Sequence, residues 1–247
     1  MKTALTRTIR LHKRRADLGN IYMKGGVVIK QHCMERDDYA KEFNILSAIS
    51  HANIISPQKN YIENNKFCVE YKYYSEGDLH SWIHSKHPQE AKDSFYWVAE
   101  QTATSIGHLH DLNMVHLDIK PENFLMEGNS ITLIDFETVE QFSGSNPYSL
   151  VHGFSKKGTS KYMAPEMMQN CDYSKMTDIY SLGRMFYLMI CYRLPDRTEP
   201  DLSTVMKAYP EFADCLSNML QPNHTFRPEI KDVINIIRYC KKLKNRD

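Results

Sequence analysis

A change of hydrophobic period near residue 75 sets the tightest limit on how this 247-residue chain can fold. Before that point, apolar residues alternate or gather in short β-branched runs. Val27-Val28-Ile29 follows the turn signal Gly25-Gly26, and 66–73 (KFCVEYKY) alternates again, so both segments are expected to be strands. Between them, Asp37 to Ile49 carries Tyr39, Phe43, Leu46 and Ile49 at helical spacing, which predicts one helix. Ser75-Glu76-Gly77-Asp78 interrupts the strand pattern. Beyond it, Phe95 to His110 reads as an amphipathic helix with Phe95, Val98, Thr102, Ile106 and Leu109 on one face. Met176 to Cys191 is apolar enough for a buried helix, and Phe124-Leu125-Met126 and Ile131-Thr132-Leu133-Ile134 flank a short hairpin turn. The expected fold class is α+β. A small β-rich lobe with one helix precedes a larger helical lobe, and ligands would bind at their junction.

Composition narrows the class by exclusion. A formal net charge of +1 provides no field to recruit nucleic acid, so no nucleic-acid partner is expected. No run approaches the roughly 18 apolar residues of a membrane span, and the basic N-terminus lacks an apolar signal core. Six cysteines (33, 68, 171, 191, 215, 240) show no CxxC spacing, which suits a reducing cytoplasmic or nuclear compartment. The basic runs 12–15 and 241–244 are short and read as solvated faces. The thirteen methionines are assigned to core, and His108 and His110 to packing or surface.

One loop concentrates chemistry. HLDIKPEN (116–123) offers an acid, a lysine and an amide within eight residues, and IDF (134–136) ends a predicted strand with another carboxylate. Phosphoryl transfer needs a positioned hydroxyl, cationic clamps, metal ligands and exclusion of water. Asp118 can orient a hydroxyl and accept its proton, and Lys120 can reach a transferring phosphoryl group. Asn123 and Asp135 supply hard oxygen ligands suited to Mg²⁺.

The ordered set VVIK (27–30), HLDIKPEN, IDFE (134–137), APE (164–166), DIYSLG (178–183) and RP (227–228) resembles the eukaryotic-type protein kinases over about residues 20 to 240. The resemblance implies one protein kinase domain over 1–247, with an N-lobe (1–71), a hinge (72–74) and a C-lobe (75–247). It implies ATP and Mg²⁺ as cofactors, with Mn²⁺ as a second metal candidate, and serine or threonine hydroxyls of proteins as acceptors. Lys30 would hold the α- and β-phosphates, paired with Glu42; Glu35 is the other candidate partner. Lys72 and Tyr74 would present hinge backbone to adenine behind a gatekeeper at Tyr71, or at Val69 in the alternative register. Asp78 would face the ribose or cap a helix. Lys120 and Thr159 resemble the Ser/Thr class. Glu166 with Arg227 would anchor the activation segment, and Asp178 the catalytic-loop backbone. Lys156, Lys157 and Lys161 hint at tolerance for acidic substrates. The compact form resembles minimal kinases encoded by viruses or secreted by intracellular bacteria.

Three positions depart from that pattern. No Gly-x-Gly-x-x-Gly precedes Lys30, so Lys13, Arg14 or Arg15 is a candidate source of phosphate-binding charge. Glu137 follows Asp135-Phe136 where the family has glycine, which should restrict the segment and alter metal preference. Leu117 replaces the arginine that clamps an activation-loop phosphate, so activity without upstream phosphorylation is expected; Ser143, Ser145, Ser149 and Ser155 lack that receptor. Two other readings compete: a pseudokinase acting as a binding or scaffolding module, and a small-molecule kinase. The GTSKYMAPE and DIYSLG segments argue against the second.

Overall fold

A computed structural model describes residues 9–12, 20–34, 40–85, 88–197 and 199–244. Lys13, Arg14, Arg15, Gly19, Glu35, Asp37 and Tyr39 lie outside the described residues. Five strands form an antiparallel sheet in the order β1-β2-β3-β5-β4: β1 (Ile9–His12), β2 (Asn20–Lys24), β3 (Val27–Cys33), β4 (Lys59–Glu63) and β5 (Lys66–Lys72). The β2–β3 hairpin turns on Gly25 and Gly26, both at positive φ (62° and 86°), where a side chain would be strained. β5 runs one residue into the expected hinge, because Lys72 still pairs with Val27 across the sheet.

Helix α1 (Lys41–Ser47) lies between β3 and β4 and is shorter than its apolar stripe suggests. Its C-terminal end tightens into i→i+3 bonds, Ala48 N to Ile45 O and Ile49 N to Leu46 O, so Ile49 is buried beyond the helix rather than on it. Phe43 meets Phe67 of β5 edge-on, at 5.5 Å between ring centres.

The remainder is mostly helical: α2 (Leu79–Ser85), α3 (Pro88–Asp111), α4 (Pro165–Asn170), α5 (Lys175–Cys191), α6 (Ser203–Ala208), α7 (Pro210–Met219) and α8 (Ile230–Lys244). α3 begins well before the predicted Phe95, with proline in its first turn, where the missing N–H costs nothing. Phe95, Val98, Thr102, Ile106 and Leu109 are all buried, and Phe95 packs on Phe186 of α5 and Phe212 of α7. α5 is enclosed from Met176 to Ile190 and starts with a capping box, in which Ser174 Oγ accepts from Met176 N and Thr177 Oγ1 from Ser174 N. At the C-terminal end of α8, Lys241 pairs with Glu100 of α3 (2.6 Å).

Short strands hold the site's loops: β6 (Met114–Val115) with β9 (Glu140–Gln141), β7 (Phe124–Glu127) with β8 (Ser130–Leu133), and β10 (Val151–His152) with β11 (Asp172–Tyr173). No helix among the described residues is long and apolar enough to cross a membrane.

Candidate active site

The β7–β8 hairpin aligns the two candidate metal ligands. Phe124 pairs with Leu133, and Ile134 N donates to Asn123 O (2.9 Å), so the residues just outside the hairpin, Asn123 and Asp135, emerge together. Asp135 adopts a left-handed backbone (φ 67°), which ends the strand abruptly.

Asp118 sits in a tight polar triad. Lys120 Nζ donates to Asp118 Oδ2 (2.6 Å) and to Thr159 Oγ1 (2.7 Å), while Thr159 Oγ1 donates to Asp118 Oδ1 (2.7 Å). Asn123 Nδ2 donates to the Asp118 carbonyl (2.8 Å), and its Oδ1 is buried with no hydrogen-bond partner. An orphaned buried amide oxygen is costly unless something polar or cationic meets it. A hard cation such as Mg²⁺ fits that donor, and Asp135 supplies the carboxylate beside it.

The loop carrying Asp118 is strained and clamped. Leu117 is a non-glycine residue at φ 67°, a conformation costing on the order of 1 kcal/mol. Asp178 at the start of α5, fully buried, holds it: Oδ1 accepts from Leu117 N (2.9 Å) and Oδ2 from His116 N (2.8 Å). His110 Nε2 lies 3.0 Å from the same Oδ2, so this histidine is a buried partner of the clamp.

The lysine expected to face phosphate comes from the sheet. Lys30 Nζ lies 2.5 Å from Glu42 Oε2, 2.7 Å from Glu137 Oε1 and 3.6 Å from Asp135 Oδ1. Burial alone would lower its pKa, but attraction by Glu42, Asp135 and Glu137 wins and leaves it raised, so Lys30 is a firm cation. Three carboxylates around one ammonium leave the cluster with excess negative charge, a second reason that cations suit this cleft. Glu42 also accepts from Phe136 N through Oε1 (3.1 Å), tying α1 to the Asp135 turn.

The expected hinge residues stand apart from this cluster. Lys72 is exposed and pairs with Glu127, its ammonium 5.4 Å from the centre of the Tyr74 ring. Tyr71 and Val69 are both buried on β5, opposite Val28 and Lys30. Asp78 caps α2, with Oδ1 accepting from Ser81 N (2.7 Å).

The segment from Asp135 to Glu166 is pinned at several points. Glu166 and Arg227 form a buried two-pronged pair (2.7 and 2.9 Å). Arg184 Nε donates to Lys161 O (2.7 Å) and Arg197 Nη1 to Met163 O (2.8 Å). Gly158 passes so close to the catalytic loop that a Cβ would lie 2.2 Å from Leu117 O, and its φ of 95° is one that side chains rarely adopt. Gly158→Ala is therefore expected to displace Thr159 from Asp118 and, if the loop transfers phosphate as the sequence resemblance implies, to reduce that activity at least tenfold; a variant with wild-type activity would contradict this.

Sequence reasoning missed Glu140 of β9. It receives Lys41 of α1 (2.8 Å) and Lys157 of the activation segment, so three elements meet on one carboxylate. Lys157 is thus engaged internally, which leaves exposed Lys156 and Lys161 as the basic residues facing solvent. Only the acid–base spacing across 116 residues could have signalled this, and such spacing has no local pattern.

The protein kinase domain model matches residues 14–246. The chain belongs to the protein kinase family. It is 26% identical over 249 residues to a probable serine/threonine-protein kinase, gdt4, of Dictyostelium discoideum, covering 92% of this chain and 15% of that protein. Serine/threonine-protein kinase Nek9 of Xenopus laevis is 32% identical over 169 residues, covering 67% of this chain and 18% of its own length. A putative serine/threonine-protein kinase of Acanthamoeba polyphaga mimivirus is 29% identical over 232 residues, covering 84% of this chain and 81% of its own. This kinase-family chain therefore spans less than a fifth of gdt4 and Nek9 and most of the viral relative.

Proposed function

We propose that this chain transfers the γ-phosphate of ATP to serine and threonine hydroxyls of protein substrates in the cytoplasm or nucleus. The observation that carries the reading is the Asp118–Lys120–Thr159 triad, to which Asn123 is hydrogen-bonded. Asp118 orients the acceptor hydroxyl and takes its proton as the new O–P bond forms and the bond from the γ-phosphorus to the bridging oxygen breaks, releasing ADP. Lys120, already anchored by Thr159, neutralises charge on the transferring group. Lys30, steadied by Glu42, holds the upstream phosphates, and Asn123 and Asp135 hold the metal. Bound Mg-ATP supplies the phosphoryl group and the divalent charge that offsets its oxygens. The test is phosphate incorporation into a generic Ser/Thr substrate with Mg-ATP, read by intact mass and radiolabel.

We also propose that activity needs no phosphate on the activation segment. Leu117 contributes no cation there; it is buried in an apolar cluster with Val115, Met167, Tyr173 and the segment's own Phe142 and Met163. Glu140 joins α1 to the same segment through Lys41 and Lys157. Burial would raise the Glu140 pKa, but Lys157 and Lys41 overcome it and hold the carboxyl below its usual value of 4.5. A depressed carboxylate contributes stability that is present above its unfolded pKa and lost as pH falls through the folded one. The joint should therefore be intact at neutral pH and weaken only in acid below the ordinary glutamate range. Phosphatase treatment is expected to leave the rate unchanged, whereas Glu140→Gln lowers it severalfold. Loss of activity on dephosphorylation would refute the proposal.

A binding module without transfer remains the competing reading, and the Glu137 carboxylate on Lys30 is the feature that favours it. Absence of incorporation with either Mg²⁺ or Mn²⁺, from folded protein, would decide for that reading.

A further inference from the structure

We infer that Glu137 is a phosphate-discriminating residue: it holds the Lys30 ammonium, and a phosphate-bearing ligand must displace it. The inference rests on the reading of Lys30 as the phosphate-holding lysine.

Three carboxylates approach Lys30, and they differ in how freely they can leave. Glu42 is 5% exposed and is committed through its other oxygen to Phe136 N. Asp135 is 12% exposed and fixed in its left-handed turn. Glu137 reaches Lys30 at 2.7 Å and, at 29% exposed, is the most solvent-accessible of the three. Its departure uncovers one face of the ammonium while the Glu42 pair stays in place. An anionic phosphate oxygen is the kind of group that replaces a carboxylate on such a donor. Glu137 thus stands in for the phosphate and lowers affinity for every phosphorylated nucleotide. Recognition of the base and sugar does not involve Lys30 and should be untouched. This places a phosphate-discriminating element on the residue where the sequence departs from its family, in a chain without the usual glycine loop.

Isothermal titration of the full chain with ATP, ADP and adenosine, at fixed Mg²⁺, tests the idea without reference to catalysis. Glu137→Gln keeps the side-chain shape and removes the charge. It is expected to bind ATP and ADP roughly tenfold more tightly, the size of one charged hydrogen bond. Adenosine should change less than about twofold, because removing the ion pair alters only the phosphate side. In a Lys30→Met background the same change should give no gain, since Glu137 acts through Lys30. A gain of equal size in that background would mean simple repulsion of phosphate and would overturn the inference. So would unchanged ATP binding, or equal shifts for ATP and adenosine. If Glu137→Gln does not fold, Glu137→Asp, one methylene shorter, is expected to show an intermediate gain. Adenosine bound normally with ATP unshifted would sink this inference alone; failure of either protein to bind any of the three would sink the kinase reading with it.

Discussion

Asp118→Asn is expected to lower phosphoryl transfer by roughly 100- to 10,000-fold, the range over which general acid–base groups act. Asparagine keeps the side-chain shape; its one oxygen can still accept from Lys120 Nζ, while its amide nitrogen donates to Thr159 Oγ1 where the carboxylate accepted. What it loses is the basicity that accepts the hydroxyl proton and the charge that steadies Lys120. Nucleotide affinity should change little, because Asp118 is bonded to Lys120 and Thr159 and not to Lys30, and the melting temperature should stay within a few degrees. Single-turnover transfer, titration with ATP and thermal melting together separate these effects. Transfer that persists in Asp118→Asn would mean another group takes the proton and would remove the role given to this loop.

Arg227→Met is expected to be the most destabilising single change among those considered. The Arg227 side chain is fully buried and donates to both oxygens of Glu166, to the carbonyls of Met176, Gln221 and Pro222, and stacks its guanidinium 4.8 Å from the Tyr180 ring centre. Removing it strands the Glu166 carboxylate in the interior and leaves three carbonyls without their donor. Breaking such a buried pair costs about 3–5 kcal/mol, a large part of the 5–15 kcal/mol typical of a folded domain. Denaturant unfolding should show the loss, and activity should fall with it because Glu166 closes the activation segment. Replacing both partners, with Glu166→Gln added, should recover part of the stability, since the stranded charge is then gone. A loss below about 1 kcal/mol for Arg227→Met would mean water reaches this pair.

The order of motifs along the chain was enough to choose residues that the structure brings together, Lys30 with Glu42 and Asp118 with Lys120 and Asn123. Lys30, Glu42, Asp118, Lys120, Asn123 and Asp135 each carry a chemistry that the proposed reaction needs; Lys30 lies within β3, Glu42 in the first turn of α1, and the others in the loops around the β7–β8 hairpin. The long helices were legible because α3 and α5 bury wide apolar faces, and the repeat of 3.6 writes that burial into the sequence. Helix α1 was less so. Its stripe continues through Ile49 although the helix stops at Ser47, because periodicity reports burial, and a buried residue just past a helix end looks the same as one on it.

The sequence by itself determined the fold class, the hairpin that presents Asn123 and Asp135, and the types of side chain the site would use. Those depend on local period and turn chemistry, which neighbouring residues supply. Tertiary structure alone decided who holds whom. Glu137 read from the sequence as lost glycine freedom and an extra carboxylate altering metal preference; in the structure it reaches Lys30 across more than a hundred residues. Glu140 joins Lys41 and Lys157, and Asp178 gathers His110, His116 and Leu117. Charge pairs act over a few ångströms of space with no period along the chain, so which carboxylate meets which cation is settled only when the sheet and helices close on one another.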